Sequence, residues 1–520
     1  MTQLKTPGVF TVEKNAFPNS VVEVATAVPA FVGWTERAEC EGRSLHLKPW
    51  RIGSMGEYLQ CFGGAPTSQH VRFELTREAN AASPGNPGEA LSLRDATPLS
   101  LGTGRYMLTQ TGGKYLLHSA MQLFFANGGA DCYVVSAGEY GSAVDAAPLT
   151  AGVQALTHEA EPTMLVIPEA VLLAQKDCHA LQAQMLRHCG ELMKNRVAIL
   201  DVWEGYRSCS EAPDVVAAFG DGLGHSGIAF GAAYYPWVHT TVVPEGDFSH
   251  ENIAAGESRD ALITALKDEI AAASALLPMD AGRRAALEAE VEKIKTTTDP
   301  AANALLSKSL VNISPAFKAL RAEMARRLNL LPPAAAMAGV YTMVDHARGV
   351  WQAPANVSLN GVLSPSVEIS HEQQQALNLT PQGNSVNAIR SFVGEGVLVW
   401  GARTLDGNHL DWRYIHVRRT MIMLQESIRL AIKAMAFGPN VPKTWDLMKT
   451  MIASFLTGVW KRGGLAGAVP QDAFSVRVGL HETMTPEDLL EGVLRVAVLV
   501  AISRPVEFIE ITFEQPMQKS

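Results

Sequence analysis

The residues Gly222-Leu223-Gly224-His225-Ser226-Gly227 spell a literal GxGxxG. In a dinucleotide-binding fold such glycines join a strand to a helix whose N-terminus meets a pyrophosphate. Here a helix-like stretch precedes the motif and a strand containing Tyr234-Tyr235-Pro236 follows it, so the glycines read as a turn. His371-Glu372 is followed by three glutamines, which leaves no second metal ligand one helical turn on. No GxxxxGK[ST] loop is present to cradle phosphates, and no GxSxG elbow to carry a nucleophile. Asp201 closes an apolar run, where a carboxylate either serves an α/β active site or caps the next segment; capping is the simpler reading. Catalytic, cofactor and metal residues are therefore expected to be none.

Charge offers a different chemistry. Arg413, Arg418, Arg419, Arg429 and Lys433 lie in or beside a helical pattern over residues 414–437. Arg418, Arg429 and Lys433 fall within about 100° of one another on a helical wheel, which makes either a solvated face or an electrostatic strip for an acidic surface. The chain as a whole has a net charge of −9, against the basic excess of proteins that coat nucleic acid. Residues 401–520 hold 14 Lys+Arg and 12 Asp+Glu, so the C-terminal part is the less acidic end.

The elements that must carry these groups can be read from periodicity and punctuation. Residues 9–13 and 28–34 are short apolar strand patterns at the N-terminal end, and 506–513 is an alternating strand bounded by Pro505 and Pro516. An isolated strand leaves its N–H and C=O groups unpaired, so both terminal segments need a sheet to join. Residues 64–105 are rich in Gly, Pro, Ser, Ala and Asn and read as a flexible insertion. Strands at 131–135, 164–167, 197–202 and 227–235 alternate with helical stretches at 114–127, 169–194 and 215–219, which predicts a sheet with helices against it. Residues 257–332 switch to Ala-, Leu-, Glu-, Lys- and Arg-rich amphipathic patterns at 262–277, 283–295 and 315–328, with a further helix at 334–351. Strand 397–400, helices 414–437 and 444–460 and strand 474–480 follow. At 520 residues, several domains are expected, in a mixed α/β (α+β) fold. The six cysteines are scattered without CxxC spacing and read as free thiols of a reducing compartment. The first fifteen residues lack the apolar stretch of a secretory signal, and residues 493–502 are too short to span a membrane, so cytosolic assembly is expected.

Several stretches resemble the contractile tail sheath proteins of myophages, tailocins and phage-tail-like injection particles. They are Thr6-Pro7-Gly8-Val9-Phe10, Asn15-Ala16-Phe17-Pro18-Asn19-Ser20, Ala27-Val28-Pro29-Ala30-Phe31-Val32-Gly33-Trp34 and Gly128-Gly129-Ala130-Asp131-Cys132-Tyr133. The C-terminal third adds Pro354-Ala355-Asn356, Asn387-Ala388-Ile389-Arg390, Val399-Trp400-Gly401-Ala402-Arg403-Thr404-Leu405, Trp412-Arg413-Tyr414-Ile415, Val417-Arg418-Arg419 and Phe437-Gly438-Pro439-Asn440. The resemblance implies a multi-domain structural subunit: a strand-donating arm at 1–25, part of a tube-facing core at 26–63, an insertion at 64–105 and an outer α/β domain at 106–350 with a helical insertion at about 257–332. It further implies a tube-facing C-terminal core at 351–503 and a second arm at 504–520. Strand exchange between copies would use Val9, Phe10, Thr11, Val12 and Glu13 at one end and Phe508, Ile509, Glu510, Ile511, Thr512 and Phe513 at the other. Arg418, Arg429 and Lys433 are the expected tube contact. The implied partners are further copies of the chain in rings of six, an inner tube protein, and baseplate and terminator or cap proteins. Neither nucleic acid nor membrane insertion is implied. Motifs 62–66 and 131–133 lean toward an extracellular injection system, and the competing reading is an α/β enzyme, expected as a monomer or small oligomer with a lined pocket.

Overall fold

The apolar runs of the first half become strands buried on both faces, as parallel strands under helices must be. Pro29–Thr35, Val197–Asp201 and Gly231–Tyr235 are buried at every position. The computed structural model describes residues 20–78, 98–276, 280–297, 299–380, 383–505 and 507. They divide into a larger unit, residues 26–418, and a smaller one that joins residues up to 25 with residues from 419 onward.

The larger unit is built on a nine-stranded sheet. Its order is Val357–Ser358, Gly396–Trp400, Asn387–Phe392, Gly231–Tyr235, Val197–Asp201, Met164–Val166, Pro29–Thr35, Cys132–Glu139 and Trp50–Ile52. From Asn387–Phe392 to Cys132–Glu139 neighbours run parallel, and the strands outside them are antiparallel. Alternation along Pro29–Thr35 sorts its side chains to two cores. Ala30, Val32 and Trp34 join Leu149, Leu181 and Met185 on one face. Phe31 meets Phe124 on the other, ring centroids 5.1 Å apart. That second face is covered by helices Leu117–Ala126 and Ala334–Arg348, which pack on each other.

Neither of these two helices has a side-chain cap of its own. Each is capped by a buried acid from elsewhere in the sheet layer. Glu169 Oε1 accepts the Leu116 and Leu117 amides at 3.1 and 2.7 Å. Asp201 Oδ1 accepts the Ala334 amide at 2.8 Å. Burial pushes the Glu169 carboxyl up to about 7 and that of Asp201 up to about 8, while the amides hold both partly down. Asp201 is thus placed as a helix cap.

Several expectations change. Residues 64–105 contribute strands Arg72–Arg77 and Leu99–Leu101 to a three-stranded sheet with Gly104–Gly112. Residues 79–97 lie outside the described positions. Residues 26–63 supply a central strand of the large sheet, and residues 351–418 belong to the same unit, so the division falls at 419 rather than 351. The single helix expected over 169–194 is a 3₁₀ turn Pro168–Leu172, a helix Gln175–Arg187 and a π turn His188–Met193. Cys40 and Cys61 form a disulfide, because strand Glu39–Cys40 and helix Met55–Phe62 bring their Cα atoms to 4.6 Å. The expectation of six free thiols is corrected to four: Cys132, Cys178 and Cys189, all buried, and Cys209, half-buried.

The smaller unit holds most of the long helix Ile415–Lys433, then helix Pro442–Lys461 and the antiparallel pair Phe474–Arg477 and Ala497–Val500. Trp445, Met448, Ile452, Leu456 and Val459 recur at helical spacing and are all buried. Pro442 opens that helix at its first position. Gly463, at φ 89°, closes it, and the Gly464 amide turns back to the Val459 carbonyl at 3.0 Å.

Candidate assembly site

In the smaller unit, Phe474 faces Val500 and Arg477 faces Ala497 in a sheet of two strands. Among the described residues neither outer edge has a ladder partner. A two-stranded sheet is marginal by itself, and open edges are templates for added strands. The same unit exposes large apolar side chains: Val22 at 69%, Phe437 at 109%, Leu490 at 88% and Leu499 at 60%. Leu499 lies on one of the two strands. Residues 20–25 are tied into this unit. The Val24 amide donates to Ser427 Oγ at 3.0 Å, and Glu23 pairs with Arg462. The strand patterns expected at 9–13 and 508–513 lie outside the described residues.

A second construction sits in the larger unit, at the base of the long helix. The Asn387 side chain donates to the carbonyls of Ala233 (3.1 Å) and Arg403 (2.8 Å) and accepts the Arg403 amide (2.7 Å). Thr404 Oγ1 donates to the Trp412 carbonyl at 2.7 Å, and the Thr404 amide to the Arg413 carbonyl at 2.7 Å. The Ile415 amide donates to the Ala402 carbonyl at 3.0 Å. Arg418 completes the knot. Its guanidinium lies 3.5 Å from the Trp412 ring centroid and 4.2 Å from that of Phe230, and Nε donates to the Ala229 carbonyl at 3.3 Å. Burial pushes this cation down to about 10, with Asp406 opposing the shift. The arrangement fixes where the helix starts.

Residues 408–515, which contain the helix base and the two-stranded sheet, match the phage tail sheath C-terminal domain. The chain is similar to contractile, phage-tail-like sheath proteins. The tail sheath protein of Vibrio phage KVP40 is 25% identical over 187 residues, 35% of this chain and 26% of that protein. The matched part of the chain therefore spans about a quarter of the length of that phage relative. Over 99% of its length it is similar, at 27% identity, to a chain of the anti-feeding prophage helical sheath in the contracted state, with a TM-score of 0.58. Similarity to a chain of the anti-feeding prophage baseplate is also 27% identity, with a TM-score of 0.57 over 99% of this chain and 100% of that one.

The observed fold disperses the expected basic strip. Arg418 is 8% exposed and spent inside its own subunit, so the three-residue strip with Arg429 and Lys433 is corrected to two exposed positions. A helical wheel puts the three on one side, but the wheel does not show that Trp412 and Phe230 enclose the first of them. Arg429 is exposed and paired with Glu426 at 2.6 Å, and Lys433 is exposed in the last turn. The sequence names Asn387 only within a motif of the resemblance and assigns it no role of its own. The signal was present as two separated motifs, 387–390 and 399–405, that prove to bond to each other. The GxGxxG glycines serve packing. A Cβ on Gly222 would strike the His179 ring at 2.0 Å, and one on Gly227, at φ 70°, would strike the Leu186 carbonyl at 2.4 Å. A helix precedes them and a three-residue 3₁₀ turn follows. Among the described residues no helix is long and apolar enough to cross a membrane.

Proposed function

We propose that the chain is the structural subunit of a contractile sheath, polymerising around an inner tube in stacked rings of six. The observation that carries this reading is the coincidence of the sheath-domain match at 408–515 with a two-stranded sheet that, among the described residues, has no ladder partner on either outer edge. In this reading residues 9–13 and 508–513 of neighbouring copies complete that sheet to four strands. Backbone pairing supplies the link, and alternate side chains set its register. Contraction then proceeds from a looser to a tighter packing of the same subunits, with apolar burial lowering the free energy. The exposed apolar side chains of the smaller unit are surface available for that burial. Arg429 and Lys433 are the positions proposed to face an acidic tube. Further partners are the baseplate and a terminator or cap protein, and the particle is an extracellular injection system. The work comes from packing, so the subunit is a mechanical part rather than an enzyme.

Electron microscopy of the purified full chain tests this directly. Tubes are expected from the intact chain and none from variants lacking residues 1–19 or 508–520. Reversal of charge at Arg429 and Lys433 together should leave sheath tubes intact while reducing co-sedimentation with tube protein. Truncated variants that still polymerise would refute the strand exchange.

A further inference from the structure

Residues 36–40 and helix Met55–Phe62 are fastened to each other by more than the bond between Cys40 and Cys61. The Arg37 amide donates to the Phe62 carbonyl at 3.2 Å. The Arg37 guanidinium donates to the Leu59 and Gln60 carbonyls at 3.1 and 2.9 Å, in the last turn of a helix that has no basic residue there of its own. In return the Glu36 carboxylate accepts the Gly64 amide at 2.7 Å. Tyr58 is fully buried and packs beside His118, ring centroids 5.9 Å apart, which holds the helix inward. None of these contacts passes through sulfur.

The bond closes a ring over a sequence separation of 21. Inside the ring lies strand Trp50–Ile52, which ends the nine-stranded sheet and, among the described residues, pairs only with Cys132–Glu139. A three-residue strand at a sheet margin belongs to the parts of a fold that open first. Within the same ring the Leu47 amide donates to the Ser136 carbonyl at 2.9 Å and the Tyr58 amide to the Ser54 carbonyl at 3.1 Å. Other cysteines are placed differently. Cys132, Cys178 and Cys189 are buried, and burial pushes their thiols up, which keeps them protonated and inert. Cys40 adjoins the exposed turn Glu41-Gly42, in a hairpin of two residues per strand that is marginal by itself.

We infer that Cys40 and Cys61 form a reversible redox latch on the sheet margin: the chain folds with both thiols reduced, and a small-molecule disulfide closes the bond afterwards. The inference does not depend on the sheath reading. A reducing compartment keeps such a pair as thiols, and an oxidising one supplies the disulfide. The thiolate of one cysteine attacks a sulfur of the small molecule and releases its other half as a thiolate. The second cysteine then attacks the protein sulfur of this mixed disulfide and releases the remaining half. Two S–H bonds and one S–S bond are lost, one S–S bond forms, and two electrons and both protons end on the small-molecule thiols. The purified full chain is kept in dithiothreitol, transferred to glutathione disulfide and returned to dithiothreitol. Alkylation with peptide mapping follows the thiols, and hydrogen exchange follows the amides of Leu47 and Tyr58 against that of Ile199. The reduced chain is expected to be folded, with Ile199 protected. Oxidation should yield the linked Cys40–Cys61 peptide and raise protection at Leu47 and Tyr58 by about a hundredfold, the effect of closing a ring of this length. Ile199 should not change, and dithiothreitol should restore the first state. A double variant, Cys40→Ala with Cys61→Ala, should match the reduced chain and ignore the oxidant. A reduced chain that does not fold would overturn the inference, as would glutathione held on one cysteine without a link. Linkage that leaves Leu47 and Tyr58 unchanged, or a double variant that still responds to oxidant, would overturn it too. Should the double variant fail to fold, the reduced and oxidised states of the intact chain decide between these outcomes.

Discussion

Replacing Arg418 tests whether its sandwich holds the base of the long helix. Arg418→Met removes two ring contacts worth about 1–2 kcal/mol each when desolvated and a charged hydrogen bond of about 1.5 kcal/mol. It also relieves the burial of a cation. The lowering of this cation from its ordinary value to about 10 corresponds to about 3 kcal/mol of penalty on the charged form. The two sides nearly cancel, so Arg418→Met should cost about 1 kcal/mol. Arg418→Ala adds the loss of the stem packed between Trp412 and Phe230, which raises the cost to about 3–4 kcal/mol. Arg418→Lys keeps charge without the planar stack and should fall between them. Native-state hydrogen exchange reads this locally at the amides of Thr404, Ile415 and Arg418, whose acceptors surround the knot. At 1.4 kcal/mol per factor of ten, Ala should lower protection there by two to three powers of ten and Met by less than one. An Ala variant that changes protection less than threefold would refute the anchoring role, because it would leave the helix base held by its backbone bonds alone.

Two further outcomes follow from buried polar groups. Glu169 keeps its proton to about 7 in the folded chain and loses it near 4.5 when unfolded. Folding therefore takes up a proton between these values, and its contribution declines as pH rises from about 4.5 through 7, by about 3 kcal/mol in all. Urea midpoints at pH 5 and 8 should differ less in Glu169→Gln than in the parent chain; an unchanged difference would exclude Glu169 as a source. Asn387→Ala strips three buried hydrogen bonds and should cost about 3 kcal/mol or more, seen as faster proteolysis of the larger unit at equal temperature. An unaltered cleavage rate would remove Asn387 from the knot.

What the sequence disclosed depended on the range of the forces involved. Helix Pro442–Lys461 was legible because Trp445, Met448, Ile452, Leu456 and Val459 mark one face, and the buried strands because their apolar runs are continuous. Helix Pro300–Ile313 went unnamed although Asp299 caps it and Pro300 opens it, two local signals that were there to be read. Strand Arg72–Arg77 alternates, with Phe73 and Leu75 buried, but its Gly- and Pro-rich surroundings masked the period. The remainder was not local. Leu75 meets Ser258 and Arg418 meets Ala229 across some 190 residues, and the Cys40–Cys61 bond depends on how a strand and a helix pack. A period can announce a face without announcing what will cover it. The assembly reading itself came from motif order, and the open two-stranded sheet supplied a physical reason for it.

Helix Ile415–Lys433 has nineteen residues, a rod about 28 Å long at 1.5 Å per residue. A tilt of about 10° at its root carries its tip about 5 Å, close to the spacing between adjacent β-strands. Any slack beneath Arg418 would therefore displace the far end of this helix by a full strand's width.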